Sequence, residues 1–450
     1  MRWSAGTKFD ATNANRIVDS IPANYTVYLS GSTYYAEAAL PGGTDYEKAT
    51  ATLAIQAAID GLTGSRSWLE KVVIKGNFTI GQITIPSYTI IEIHGKLTLA
   101  AATNDDMFRP EDNATNIIIK GGVLNGNKAN QTAGSSFRFS ATANESYILF
   151  EDIEITGFKE HGIQLSSGTS DQIRINKCEI HTNDGSGIRA ACDEVVITNC
   201  EIYSNGAAGV LAYQVHNIEV LNCFIHDNVS DGVYLSEVYH SIVENCIFST
   251  NRAGVYILNS SYENIVNANT FEDSERQAVY IYQSSRNVVT NNICKNSSQD
   301  VDNTYDAIAL EDDTTTYSTY NIVTGNQIYD DAANQSKYGI KEENAGDDYN
   351  IIENNIINGP VTANILWQGV NSLVRDNIGF VTENEGITAA IATGTAVTHG
   401  LAGTPTSITV TAAETGPTDI SVDTVGAASF KINFGGGGNK TFYWQARYTV

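Results

Sequence analysis

An internal repeat constrains this chain more than any other feature. IRINKCEI at 173, VVITNCEI at 195, IEVLNCFI at 218 and SIVENCIF at 241 align without gaps, followed by NIVNANTF at 264, NVVTNNIC at 287, NIVTGNQI at 321 and NIIENNII at 350. Their sixth positions are Cys178, Cys200, Cys223, Cys246, Asn269, Asn292, Asn326 and Asn355, spaced 22, 23, 23, 23, 23, 34 and 29 residues apart. A second ladder runs out of phase with the first: HGIQL at 161, SGIRA at 186, AGVLA at 208, DGVYL at 231, AGVYI at 253, QAVYI at 277, DAIAL at 306 and YGIKE at 338. Each repeat therefore holds short alternating β segments separated by Asn, Asp, Gly and Ser turns. No such segment buries its apolar side alone. Winding the chain so that each turn stacks on the last buries them all in one core. The expectation is an all-β fold, a single-stranded parallel β-helix with turns about 4.8 Å apart, the spacing of paired strands. A leucine-rich repeat would need a Leu-rich consensus, and there is none.

The cysteines follow from the register. Four share one column in phase with Ile and Val, so they are expected inside, reduced and structural, and without Cys-x-x-Cys a zinc site is not expected. Where Cys stops, Asn continues the column and is expected to pass amide hydrogen bonds from turn to turn. Residues 47–62 carry helical periodicity and are expected to form a helix covering the open end of the stack. Residues 386–450 break the period and read as a small antiparallel β domain. The expected division is an N-terminal segment 1–46, the β-helix 47–385 and the C-terminal β domain 386–450.

Charge narrows the function. With 26 Lys+Arg against 51 Asp+Glu the net charge is −25, which argues against nucleic acid or an anionic membrane as partner. No apolar run reaches the roughly 18 residues of a membrane helix, so no membrane insertion is expected. MRWSAGTKFDATNANRI has no hydrophobic signal core. An extracellular or virion-surface location would then need another export route, or a leader trimmed away.

The capping helix, the VVIKGNFTIGQITIPS segment and the stacked coils resemble the pectate-lyase-like superfamily of right-handed β-helix proteins over roughly 47–385. RWSAGTKFDATNANRI resembles short N-terminal segments of phage tail proteins, and GTAVTHGLAGTPTSITVTA with TFYWQARY resembles C-terminal domains of phage tail and related surface proteins. The resemblance implies a right-handed helix, a tailspike-like depolymerase and a homotrimer clasped by the C-terminal domain. It carries no catalytic residue over. Polygalacturonases bear Asn-Thr-Asp, Asp-Asp, Gly-His-Gly and Arg-Ile-Lys in successive turns. Here NDGSGIR at 183–189 is a partial echo, Asp312 and Asp313 are adjacent, and Gly-His-Gly is missing. The Tyr-Gly-x-Asp-Pro-His signature of mannuronan epimerases is missing too.

Strand alternation exposes the surface to reading. The central outward column of the second ladder is Gln164, Arg189, Leu211, Tyr234, Tyr256, Tyr280, Ala309 and Lys341. Two residues later stand Tyr213, Tyr282, Glu311 and Glu343, and two residues earlier runs a Gly/Ala column expected to leave a low floor. The position before that column holds His161, Asp231, Gln277 and Asp306. Aromatic rings stack on the C–H faces of sugars and acids bond their hydroxyls, so a polysaccharide along the axis is expected. Stacked tyrosines also simply shield a sheet, which is the plainer explanation for any one of them. The substrate-binding candidates are Arg189, Tyr213, Tyr234, Tyr256, Tyr280, Tyr282 and Lys341.

Glycoside hydrolysis needs two carboxyl groups, about 5 Å apart for retention and up to about 9.5 Å for inversion. Asp184 and Asp231 lie two turns apart, Asp306 and Glu311 flank one strand, and Asp312 follows it; these five are the catalytic candidates. A lyase would instead use Arg189 with Tyr213 or Tyr234, or Lys341 with a tyrosine. His181 and His226, at matching positions two coils apart, read mainly as turn hydrogen-bonders. The long steps place inserted loops at 296–305, 312–320 and 330–337, expected to wall a groove beside Asp306, Glu311 and Asp312. No cofactor is expected, except Ca²⁺ on acidic loop oxygens. Two functions stay open: a hydrolase or lyase acting on a glycan, and a non-catalytic glycan-binding or structural spike.

Overall fold

The structure is a computed structural model and describes residues 20–39, 43–139, 144–166 and 171–449. The phage-like N-terminal motif at 2–17 lies outside them. Alternating Ile and Val segments become strands that pair with the equivalent strand one turn on. In sequence order, every third strand is a hydrogen-bonded neighbour, so each turn gives one strand to each of three parallel sheets. The second ladder forms one of them in the expected register: Arg189 pairs with Leu211, Leu211 with Tyr234, Tyr234 with Tyr256, Tyr256 with Tyr280, Tyr280 with Ala309 and Ala309 with Lys341. The inward residues beside them, Ile188, Val210, Val233, Val255, Val279, Ile308 and Ile340, are all buried. Each such side chain contributes about 1.5–3 kcal/mol by leaving water.

One end of the stack is closed by chain from its start. Strands β1 (Tyr25–Ser30), β2 (Thr33–Ala38) and β3 (Tyr46–Lys48) form an antiparallel meander, and β1 pairs in parallel with β4 (Glu70–Lys75). The first sheet thus extends beyond residue 47 toward the N-terminus. Helix α1 (Ala51–Asp60) begins at Thr50, whose Oγ1 accepts the Leu53 N–H. It turns Ala51, Ala54, Ile55, Ala58 and Ile59 into the core. The C-terminal residues form two three-stranded antiparallel sheets around their own core of Phe430, Ile432 and Phe442. No helix of the described residues is long and apolar enough to cross a membrane.

The corner column behaves as its composition requires. Cys178, Cys200, Cys223 and Cys246 are buried and unbridged, as are Cys192 and Cys294. From Asn269 onward each side-chain amide donates to the Oδ1 of the next rung: Asn269 to Asn292 at 3.1 Å, Asn292 to Asn326 at 3.0 Å and Asn326 to Asn355 at 3.0 Å. Burial raises the Cys200 thiol well above its ordinary range, and the thiolate is the reactive form. Native protein should therefore react slowly with thiol reagents and quickly once denatured. Fast labelling of all six cysteines in native buffer would contradict this packing.

The glycine column is not a floor. A Cβ on Gly187 would lie 2.6 Å from Ile202 Cγ2, and one on Gly254 2.2 Å from Phe271 Cδ1. These glycines face the core at the corner where the chain enters the strand. Strand alternation does not carry across that corner, so the outward assignment fails there.

Candidate functional site

Where the repeat lengthens, five successive turns line an open cavity of about 590 Å³. Tyr256, Tyr280 and Tyr282 line it from the strands Val255–Leu258 and Val279–Tyr282. Glu311 comes from the next strand and Lys341 from the one after. Asp231 and Asp306 enter from the turns before their strands. Seven of the candidates thus meet in one place.

The aromatic face is ordered. Tyr256 and Tyr280 stack with ring centres 4.5 Å apart and planes 10° off parallel, and Tyr234 meets Tyr256 edge-on at 5.4 Å. Burial, then neighbouring Glu311, raises the Tyr280 phenol above its usual range. It keeps its proton and donates a hydrogen bond to Glu311 Oε2 at 2.6 Å.

The charged groups share one ammonium. Lys341 Nζ donates to Glu311 Oε1 at 2.7 Å and lies 3.8 Å from Asp306 Oδ2. The two carboxyl oxygens are therefore at most 6.5 Å apart, the sum of these distances. Burial pushes Asp306 up to about 7; Lys341 pulls against it and Glu311 adds to it. Burial lowers the Lys341 ammonium, but Glu311, Asp306 and Glu343 outweigh this and leave it above its ordinary value. A carboxyl lifted toward neutrality beside a second one held by an ammonium is the kind of pair that can share acid and nucleophile roles.

Asp231 has another partner. It is fully buried and takes both Arg252 Nε at 3.1 Å and Nη2 at 2.6 Å, a bidentate pair. The structure does not bring the remaining candidates to the cavity. Asp184 is held by Lys128 and Lys159, each at 2.8 Å, and their hydrogen bonds lower its carboxyl. Asp312 bonds Asn344 Nδ2 at 2.6 Å in the following loop, beside Asp347, which burial raises to about 8. Arg189, Tyr213 and Tyr234 continue the outward stripe beyond the cavity lining. His181 and His226 stand on strands and sandwich Tyr203 at 4.7 and 4.9 Å, on a different sheet. Of the three inserted loops, 296–305 lines the cavity, through Thr304 and Tyr305. Among the described residues no group of three or more His, Cys, Asp or Glu is placed to hold a metal ion.

Arg252, Arg276 and Tyr305 were not singled out in the sequence. They occupy one turn column, immediately before the Asp231, Gln277 and Asp306 column, and two arginines in successive turns of a strongly acidic chain were a usable signal. A second concavity, about 520 Å³, lies on the C-terminal sheet, where Glu383 pairs with Arg447 at 2.6 Å and Glu385 with Gln445 at 2.9 Å. Its acids are spent on these partners.

Three parallel sheets wound from one chain, with a cleft across successive rungs, define a parallel β-helix protein. The family described as the right handed beta helix region matches residues 139–296, and the chain is a right-handed β-helix protein in fold. No curated protein matches its sequence. The A-module of a mannuronan C-5 epimerase from Azotobacter vinelandii superposes with a TM-score of 0.64 at 18% identity, covering 72% of this chain and 96% of that one. The tailspike protein of Dettilon gives 0.59 at 14%, covering 88% and 91%. A family 28 exopolygalacturonase from Yersinia enterocolitica gives 0.54 at 11%, covering 76% and 82%. At such identities these likenesses speak for the fold, and the chemistry rests on the site.

Proposed function

We propose that the protein is a polysaccharide-degrading enzyme, a glycoside hydrolase acting on an extended glycan laid across the Tyr256–Tyr280 stack. One observation carries this reading: Asp306, lifted by burial to about 7, and Glu311 meet at one ammonium beside an aromatic platform. Asp306 protonates the leaving glycosidic oxygen as the bond to the anomeric carbon breaks. Glu311 attacks that carbon and forms a glycosyl-enzyme. Asp306, now a carboxylate, takes a proton from the water that releases the sugar. Two carboxyls that reach one ammonium, at 2.7 and 3.8 Å, are close enough for the retaining arrangement of about 5–5.5 Å, which we adopt. The three solved relatives, named for an epimerase, a tailspike and an exopolygalacturonase, support a glycan as the ligand.

Reducing ends released from a glycan panel, with no absorbance gain near about 235 nm, where unsaturated sugars absorb, test hydrolysis against elimination. Gain at that wavelength would make it a lyase; binding without product would make it a spike that only holds glycan. The acid must be protonated, so turnover should fall as pH rises through about 7, the value to which burial lifts Asp306. An ordinary exposed Asp would titrate near about 4. A rate independent of pH from 5 to 9 would remove Asp306 as the acid.

We further propose a virion- or cell-surface location and a homotrimer, with residues 386–450 as its clasp. Light scattering should give about three times 48.5 kDa, and a monomer on deleting 386–450. A monomeric full-length chain would remove the clasp.

A further inference from the structure

The cavity holds three cations, and two of them are spent. Arg252 is locked bidentate on Asp231, and Lys341 is shared by Glu311, Asp306 and Glu343. Arg276 is different. Among the described residues it has no carboxylate within ion-pair distance, although the chain carries 51 acids against 26 bases. Arg66, Arg174 and Arg189 likewise make no ion pair among the described residues, but Arg276, unlike them, lines the cavity. Its position is fixed: the Arg276 N–H donates to the Arg252 carbonyl at 2.7 Å, and the Arg276 carbonyl accepts from Ser298 at 2.8 Å. Its guanidinium lies 5.0 Å over the Tyr305 ring, on the inserted loop 296–305. A stacked guanidinium keeps its in-plane N–H donors free and loses little freedom when it binds.

Resting on the hydrolase reading above, we infer that Arg276 is the specificity-determining residue of the cavity and receives the carboxylate of an acidic sugar unit in the glycan. The planar fork of N–H donors matches a carboxylate in bidentate fashion. A neutral sugar would leave that fork without its anion, and a site built around a polar partner discriminates strongly against an analogue lacking it. Gln277 and Thr304 beside it supply neutral donors and acceptors for hydroxyls, so the one charge in this part of the wall is what reads charge on the ligand.

The test compares polygalacturonate, alginate and hyaluronan with the same three polymers after reduction of their carboxyls to alcohols. Dissociation constants are measured for the parent, Arg276→Gln, Arg276→Met and Tyr256→Ala. Arg276→Met keeps the apolar stem over Tyr305 and serves if the amide variant loses its native circular dichroism. The parent should bind at least one acidic polymer about tenfold or more tightly than its reduced form. Both Arg276 variants should erase that ratio while holding the reduced form within about twofold of the parent, an effect that a merely structural residue would not produce. Tyr256→Ala should weaken both forms alike and leave the ratio. A ratio unchanged in the Arg276 variants, or an equal loss for both polymer forms, overturns the role of Arg276 while the glycan reading stands. Full binding of both forms by Tyr256→Ala, or a parent that binds none of the six polymers, overturns the glycan reading and this inference with it.

Discussion

Asp306→Asn is expected to lower turnover by about 10²–10⁴-fold, which is about 2.7–5.5 kcal/mol of barrier, with little change in glycan affinity. The amide keeps the acceptor that Asp306 Oδ1 offers the Tyr338 N–H, at 3.1 Å, so the turn holds while the proton is lost. Glu311→Gln should fall at least as far, because the amide cannot attack the anomeric carbon. Its one oxygen can still accept from Lys341, while its NH2 can donate to the Tyr280 hydroxyl in place of the bond that Tyr280 now donates. The two variants part on activated substrates. An aryl glycoside leaves without a proton, so it should recover much of the Asp306→Asn rate and none of the Glu311→Gln rate. Proton NMR of the first product should show the anomer of the substrate. Inverted product, or wild-type turnover in either variant, would end this assignment of roles.

The second large effect lies in the core. Asn292→Leu, which keeps the branching but is bulkier, should destabilise the fold by about 3 kcal/mol or more. Asn292 Oδ1 accepts the Asn269 N–H at 2.9 Å and its side-chain amide at 3.1 Å, while Asn292 Nδ2 donates to Asn326 at 3.0 Å and to the Val266 carbonyl at 2.9 Å. Leucine leaves the Asn269 N–H without its acceptor, at about 1–3 kcal/mol, and removes three further bonds, while Asn269 Nδ2 keeps the Val243 carbonyl at 2.9 Å and Asn326 Oδ1 keeps the backbone N–H of position 292 at 3.0 Å. Gln327→Ala, on the exposed face of a nearby strand, should stay within about 0.5 kcal/mol of the parent. Urea unfolding reads both, and an Asn292→Leu midpoint equal to that of the parent would show that the ladder bears no load.

The fold was legible because period two and a near-constant repeat leave little freedom: aligning the second ladder on its own Gly/Ala-Ile/Val steps gives every pairing in the sheet from Ile188 to Lys341. The tyrosine stripe and Lys341 came out of the same register. What failed depends on corners. The sign of a side chain's direction is not conserved through a turn, so Gly187 and Gly254 were placed on the wrong side of the wall. Asp184 and Asp231 looked equivalent in the repeat, yet each is spoken for by cations, Lys128 and Lys159 in one case and Arg252 in the other. No spacing rule reports such pairing. Arg276 and Tyr305 were overlooked for the same reason: the column that holds them is turn, not strand, and their contact depends on the path of the inserted loop.

The two ends of the solenoid bear on how the molecule keeps company with itself. A stack of parallel strands that stopped bare would offer open N–H and C=O rows as a template on which another chain could continue the winding. At the start, the reversal of β1 into β2 and the helix α1 break that template. At the far end, the Ile378 carbonyl takes the Ile357 N–H, and Tyr448 packs against Trp367 and Phe380. Among the described residues both ends of the winding are thus partly covered, which removes part of the row on which another chain could pair.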